Sequence, residues 1–254
     1  MLLVVDVGNT NTVLGLFAES TLQHSWRIRT DYMRTVDEYA MLINDLTGFS
    51  GIRLSDIKDV IISCVVPPLV DTLERMSRKY FAKQAYVVGS EMKMGMAIHY
   101  DNPADVGADR IVNAVAAYKR YLRSLIVVDF GTATTFDCIS PEGAYCGGAI
   151  APGLGISADA LHVHASKLPR VEICKPPKVV AKNTVNSMQS GLLYGYAGLV
   201  DGLVQRMKYE VGGDPLVVAT GGLAERIAQV SETIDEVEPM LTLEGLFLLY
   251  NLNK

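Results

Sequence analysis

Leu2-Leu3-Val4-Val5-Asp6-Val7-Gly8-Asn9-Thr10-Asn11-Thr12 has a near copy later in the chain, at Leu125-Ile126-Val127-Val128-Asp129-Phe130-Gly131-Thr132-Ala133-Thr134-Thr135. Each stretch reads as an apolar strand, an Asp-x-Gly, a tight polar turn and the start of a second strand. Asp129 stands 123 positions after Asp6, nearly half of the 254 residues. Solenoid repeats recur every ~20–50 residues, so this spacing predicts two duplicated α/β halves. The expected division is 1–122 and 123–254, because no long linker or low-complexity segment interrupts the chain.

The pattern around the two copies supports α/β units. Thr35 and Glu38 form a capping box, and Val36, Tyr39, Ile43 and Leu46 follow at helical spacing before Gly48. Val60–Val66 is a β-branched run suited to a buried strand. Pro67-Pro68 opens the next helix, where proline is tolerated, and Ala85–Val88 reads as a short strand. A helix is expected over Ala108–Leu122. In the second half, strands near Thr134–Ile139 and Ala144–Ile150 flank the turn Pro141-Glu142-Gly143. Helices are expected over Gly155–Ala165 and after Asn183-Thr184. The latter carries Gly191, Gly195, Gly198 and Gly202, a cost of about 1 kcal/mol each against alanine, which points to close packing. Leu216–Ala219 is the last clear strand, Gly221-Gly222 the last tight turn and Leu243–Leu252 the closing helix.

Composition narrows the class. The formal net charge is −5, whereas general nucleic-acid binders need a basic face. Hydrophobic residues make up 49% and charged residues 20%, below the roughly 25% charged of soluble domains. Burial should therefore be extensive, with a subunit interface as one outlet. No apolar run reaches ~18 residues, so no membrane-spanning helix is expected. The first residues lack the basic flank of a secretory signal, and Cys64, Cys138, Cys146 and Cys174 show no CxxC spacing. Both features lead us to expect a cytoplasmic chain with reduced thiols. Of His24, His99, His162 and His164 only the pair His162-x-His164 has a spacing that a metal could use, a weak signal, and Arg75–Lys79 reads as a solvated helix face.

The chemistry centres on the turns. A strand ending in Asp, followed by Gly and Asn/Thr, presents backbone N–H groups and hydroxyls to phosphate oxygens. The adjacent carboxylate suits a hydrated Mg²⁺ bridging phosphates. The same residues also make ordinary hairpins, and duplication is what favours the phosphate reading. Asp109 lies in Gly107-Ala108-Asp109-Arg110 at a helix start, fit either to cap the helix or to accept an alcohol proton in phosphoryl transfer. Arg110 offers a forked donor to a carboxylate or phosphate, or a surface ion pair.

The paired turns, with Ala219-Thr220-Gly221-Gly222, resemble the acetate and sugar kinase/Hsp70/actin superfamily, in which two ribonuclease-H-like domains close over a nucleotide. Further segments resemble type III pantothenate kinase: Tyr100-Asp101-Asn102-Pro103, Gly107-Ala108-Asp109-Arg110-Ile111, Asp129–Thr135, Gly147-Gly148-Ala149-Ile150-Ala151-Pro152-Gly153, and Lys182-Asn183-Thr184 with Ser187–Gly191. The resemblance spans Asp6 to Gly222, with Ala181 where glycine is expected. It implies a cytoplasmic, homodimeric phosphotransferase that uses ATP to convert pantothenate to 4′-phosphopantothenate, the first step of coenzyme A biosynthesis. It implies ATP contacts from Asp6, Val7, Gly8, Asn9, Thr10, Asn11, Thr12, Val13 and Thr132, and substrate contacts from Tyr100, Gly107, Ala108, Asp109, Arg110 and Thr184. Asp109 is the implied proton acceptor. Asp129 is the implied ligand of a monovalent cation, potassium or ammonium, while Mg²⁺ accompanies ATP; whether Asp6 or Asp129 approaches Mg²⁺ is open here. Another acceptor within the superfamily, or a nucleotide-dependent regulator without an acceptor, are the competing readings.

Overall fold

The computed structural model describes residues 1–89 and 91–254. Its chain forms two compact units, Met1–Met96 with Asp101–Ala116 and Leu241–Lys254, and Ala97–Tyr100 with Ala117–Met240. The helices are α1 (Val36–Phe49), α2 (Pro67–Met76), α3 (Ala108–Tyr121), α4 (Leu154–His164), α5 (Thr184–Val211), α6 (Ala224–Ala228) and α7 (Leu241–Asn253).

In the first unit, β1 (Leu2–Val7) runs antiparallel to β2 (Asn11–Ala18), which pairs with β3 (Thr21–Arg29). On its other side β1 is parallel to β4 (Asp59–Cys64), and β4 to β5 (Tyr86–Val87). The second unit repeats this plan. Here β6 (Leu125–Phe130) is antiparallel to β7 (Ala133–Ile139), then β8 (Tyr145–Pro152), and parallel to β9 (Leu216–Gly221), then β10 (Glu236–Val237). The duplication extends to register: Asp6 pairs with Ser63 on the parallel side, as Asp129 pairs with Thr220. These are two five-stranded mixed sheets with helices, the expected duplicated ribonuclease-H-like plan.

β1 is apolar throughout because both its faces are covered. Leu3, Val5 and Val7 pack with Tyr39 and Ile43 of α1 and Leu69 and Leu73 of α2. Leu2 and Val4 face Val112 of α3 and Leu243, Leu246 and Leu249 of α7. The α1 start matches expectation: Glu38 N–H donates to Thr35 Oγ1 at 3.3 Å and Thr35 N–H to Glu38 Oε2 at 2.7 Å. In the second unit Ile126, Val128 and Phe136 pack against Leu193, Tyr196 and Val200 of α5.

Three features differ from the sequence reading. The closing helix α7 belongs to the first unit, so the division is not a single cut at 122/123. β3 was not anticipated, although Leu22, His24, Trp26 and Ile28 alternate with exposed residues, as in a strand with one solvated face. The glycines of α5 do not all serve close packing inside this chain: a methyl at Gly191, Gly195 or Gly198 would meet nothing within 4 Å.

Candidate active site

The first Asp-x-Gly turn closes the β1–β2 hairpin. Gly8 N–H donates to Asn11 O at 3.0 Å, and Thr30 N–H to Thr10 O at 3.0 Å. The Thr30 hydroxyl donates to Gly8 O at 2.7 Å and lies 2.9 Å from Thr12 Oγ1. Thr12 and Val7 are buried, so their side chains brace the turn from behind. Asn9, Thr10 and Asn11 stand exposed at its tip, and Asp6 and Gly8 are half-buried at its base. Val13 sits beside the α7-side core.

The second turn closes the β6–β7 hairpin in the same place but is one residue shorter. Gly131 N–H donates to Ala133 O at 3.1 Å, and Gly153 N–H to Thr132 O at 3.1 Å, with Thr132 exposed. Tyr196 braces it from behind, its hydroxyl bridging Thr134 Oγ1 at 2.6 Å and Pro152 O at 2.8 Å. Gly221 has φ +91°, and a methyl there would lie 2.5 Å from Asp129 Oδ1. Only glycine combines that backbone with room for the Asp129 carboxylate. Among the described residues no three His, Cys, Asp or Glu form a cage for a metal ion. A single carboxylate can still serve a hydrated Mg²⁺, which keeps several waters and relies on substrate phosphates.

Asp109 lies in the first turn of α3, after a short turn that Asn102 caps. Its Oδ1 accepts the Arg110 N–H at 2.8 Å, while that N–H also lies 3.1 Å from Gly107 O. Burial pushes the Asp109 carboxyl above its ordinary value, against the pull of the Arg110 N–H and guanidinium. A methyl on Gly107 would lie 2.6 Å from Asp109 Oδ1, so the missing side chain is what lets the carboxylate fold back. Arg110 is buried. Gly107, Ala108, Asp109 and Arg110 thus form one continuous element in the first unit, with Asp6 in the same unit.

Tyr100, Asp129, Thr132 and Thr184 belong to the second unit. Tyr100 is half-exposed, its ring centroid 6.2 Å from that of Tyr145. Thr184 opens α5 beside the cap Asn183, whose Oδ1 accepts the Asn186 N–H at 2.8 Å. Ala181, Lys182, Asn183 and Thr184 line a groove of about 620 Å³ with Leu161 and Leu168. His162 turns its Nδ1 to Leu168 O at 3.0 Å. On α2, Arg75 pairs with Asp71, and Lys79 just beyond pairs with Asp37, as exposed ion pairs. Asp137 and Tyr145 belong to no sequence motif named above. The one available signal was a charge inside the apolar strand Phe136-Asp137-Cys138.

The family model for type III pantothenate kinase matches residues 2–206. The type III pantothenate kinase of Syntrophotalea carbinolica is 64% identical over 254 residues, covering 100% of both chains. That of Citrifermentans bemidjiense is 59% identical, again over 100% of both. Among solved structures, the actin-like MreB 5 of Spiroplasma citri bound to AMPPNP superposes with a TM-score of 0.57 at 10% identity, covering 98% of this chain and 96% of that one. That likeness concerns the fold alone. With its fold, its two Asp-x-Gly turns and full-length identity of this order, the chain belongs to the type III pantothenate kinase family.

Proposed function

We propose that Asp109 accepts the hydroxyl proton of pantothenate as the phosphoryl group of ATP arrives. The enzyme is a phosphotransferase that phosphorylates pantothenate in coenzyme A biosynthesis. The observation that carries the Asp109 assignment is its carboxylate, half-buried at a helix start and fixed by the Arg110 N–H at 2.8 Å. Phosphoryl transfer passes through a loose transition state, so positioning and charge stabilisation dominate and the base need only receive a late proton. A carboxylate whose proton affinity is raised by burial holds that proton better than an exposed one.

For the phosphates, Asp6–Val13 and Thr132 supply N–H groups and hydroxyls. The exposed tips Asn9–Asn11 and Thr132 support that reading. Asp6 is the residue for hydrated Mg²⁺, and Asp129, framed by Gly221, for potassium or ammonium. When bound, these cations offset the negative charge of the triphosphate. Tyr100, Gly107, Ala108, Arg110 and Thr184 hold pantothenate, the Arg110 guanidinium being suited to its carboxylate. A second copy of this chain is the partner for the open α5 face at Gly191, Gly195 and Gly198, with sedimentation at micromolar concentration as its check. The four free cysteines support a reducing, cytoplasmic setting. Among the described residues no helix is long and apolar enough to cross a membrane.

The deciding experiment is ADP release with pantothenate, with and without potassium, for wild type and Asp109→Asn. The variant should bind ATP normally and turn over about 100-fold more slowly. Near-normal turnover would remove Asp109 from the role of base.

A further inference from the structure

Asp137 on β7 and Tyr145 on β8 form a side-chain bond inside the second unit. Both residues are 0% exposed. The Tyr145 hydroxyl donates to Asp137 Oδ1 at 2.8 Å, and the Thr135 hydroxyl to Oδ2 at 3.2 Å. A buried carboxylate persists only where hydrogen bonds replace water. An apolar pair of similar volume would often be as stable or more so, so the geometry this bond enforces is its distinguishing product.

That geometry leads to Tyr100. Tyr145 N–H donates to Ala97 O at 2.8 Å, and His99 N–H donates to Tyr145 O at 2.8 Å. Ile98 is its parallel bridge partner. The segment ending at Tyr100 is therefore fastened to the main chain of one residue. The Tyr100 ring also lies against the same strand, 3.6 Å from where a methyl on Gly147 would be, and tilted 54° to the Tyr145 ring. Releasing the Tyr145 hydroxyl would free its ring and loosen the surface on which Tyr100 rests.

We infer that Asp137 and Tyr145 are positioning residues that set the place of Tyr100 for the acceptor substrate. This inference rests on the assignment of Tyr100 to pantothenate made above. Neither residue touches the substrate; each acts through the 97–100 segment.

Steady-state kinetics on the full-length enzyme, varying pantothenate and ATP separately, tests it. Tyr145→Phe keeps the ring and both backbone bonds and removes only the hydroxyl. The KM for pantothenate should rise about tenfold, less than the ~100-fold of a full ångström misplacement, with kcat and the KM for ATP within about twofold. Asp137→Asn keeps an acceptor for the hydroxyl and should raise the pantothenate KM only about two- to threefold. This near-isosteric variant decides the matter if Tyr145→Phe does not fold. An unchanged pantothenate KM in the folded variants, or an equal rise in the KM for ATP, overturns the inference. Tyr100→Ala separates the two levels. If it leaves the pantothenate KM unchanged, the assignment of Tyr100 fails. If it raises that KM while Tyr145→Phe does not, the positioning role alone fails.

Discussion

Gly107→Ala is a one-atom test of how Asp109 is held. The added methyl would lie 2.6 Å from Asp109 Oδ1, whereas ordinary contact begins at 3.4 Å. The next atoms it meets, on the Arg110 side chain, are at a comfortable 3.8 Å, so the strain falls on the carboxylate. The backbone of residue 107 has little freedom to retreat, because its carbonyl receives the N–H groups of Arg110 at 3.1 Å and Ile111 at 3.3 Å. The carboxylate oxygen must therefore withdraw by about 0.8 Å, which stretches the 2.8 Å bond from Arg110 N–H beyond useful length. Displacement of nearly an ångström costs on the order of 100-fold in rate. Since no positive φ is involved at Gly107, the melting temperature should fall by no more than about 2 °C. The assay is coupled ADP release at saturating ATP, with ATP affinity measured by titration calorimetry. Wild-type kcat in Gly107→Ala would refute the reasoning, because it would show that the base tolerates the displacement or is not Asp109.

Gly221→Ala challenges the other carboxylate and the backbone together. At φ +91° the methyl meets Asp129 Oδ1 at 2.5 Å and Phe130 N and O at 2.7 Å. Forcing an L side chain into this region costs ~1–2 kcal/mol, so melting should drop by about 4 °C and activation by potassium should weaken; a wild-type potassium titration counts against the cradle. Asp109→Asn should melt above wild type at pH 7 without ATP. Its carboxyl is raised in the folded state, so it contributes most favourably below the ordinary carboxylate value, and that contribution is lost as pH rises through the raised value. The advantage of the amide should therefore shrink as pH falls toward ~4, which thermal melts across that range will show or deny.

Local chemistry was legible from residues alone, and long-range allegiance was not. The run Leu2–Val7 and its copy Leu125–Phe130 announced two buried strands because an apolar stretch on both faces has few other uses. Thr35 and Glu38 marked the start of α1 because capping is settled within one turn. By contrast, Leu241, Leu243, Leu246 and Leu249 said only that α7 is buried, and nothing in their spacing names the sheet that covers them. The site divided in the same way. Gly107 to Arg110 could be read as a unit, since its residues are contiguous. The bond between Asp137 and Tyr145 joins neighbouring strands across a register shift, and no local pattern shows it.

The return of α7 to the first unit has a consequence for synthesis. Leu2 and Val4 precede the second unit in the chain, yet their cover from Leu243, Leu246 and Leu249 is made only after the whole of Ala117–Met240. During translation at ~5–20 residues per second, one face of β1 lacks its α7 cover for roughly 6–25 s while Ala117–Met240 is made. The nascent chain thus carries a partly covered apolar strand over that interval, a surface suited to a holding chaperone. Rapid synthesis of the stretch before α7 should favour soluble yield more than rapid initiation does.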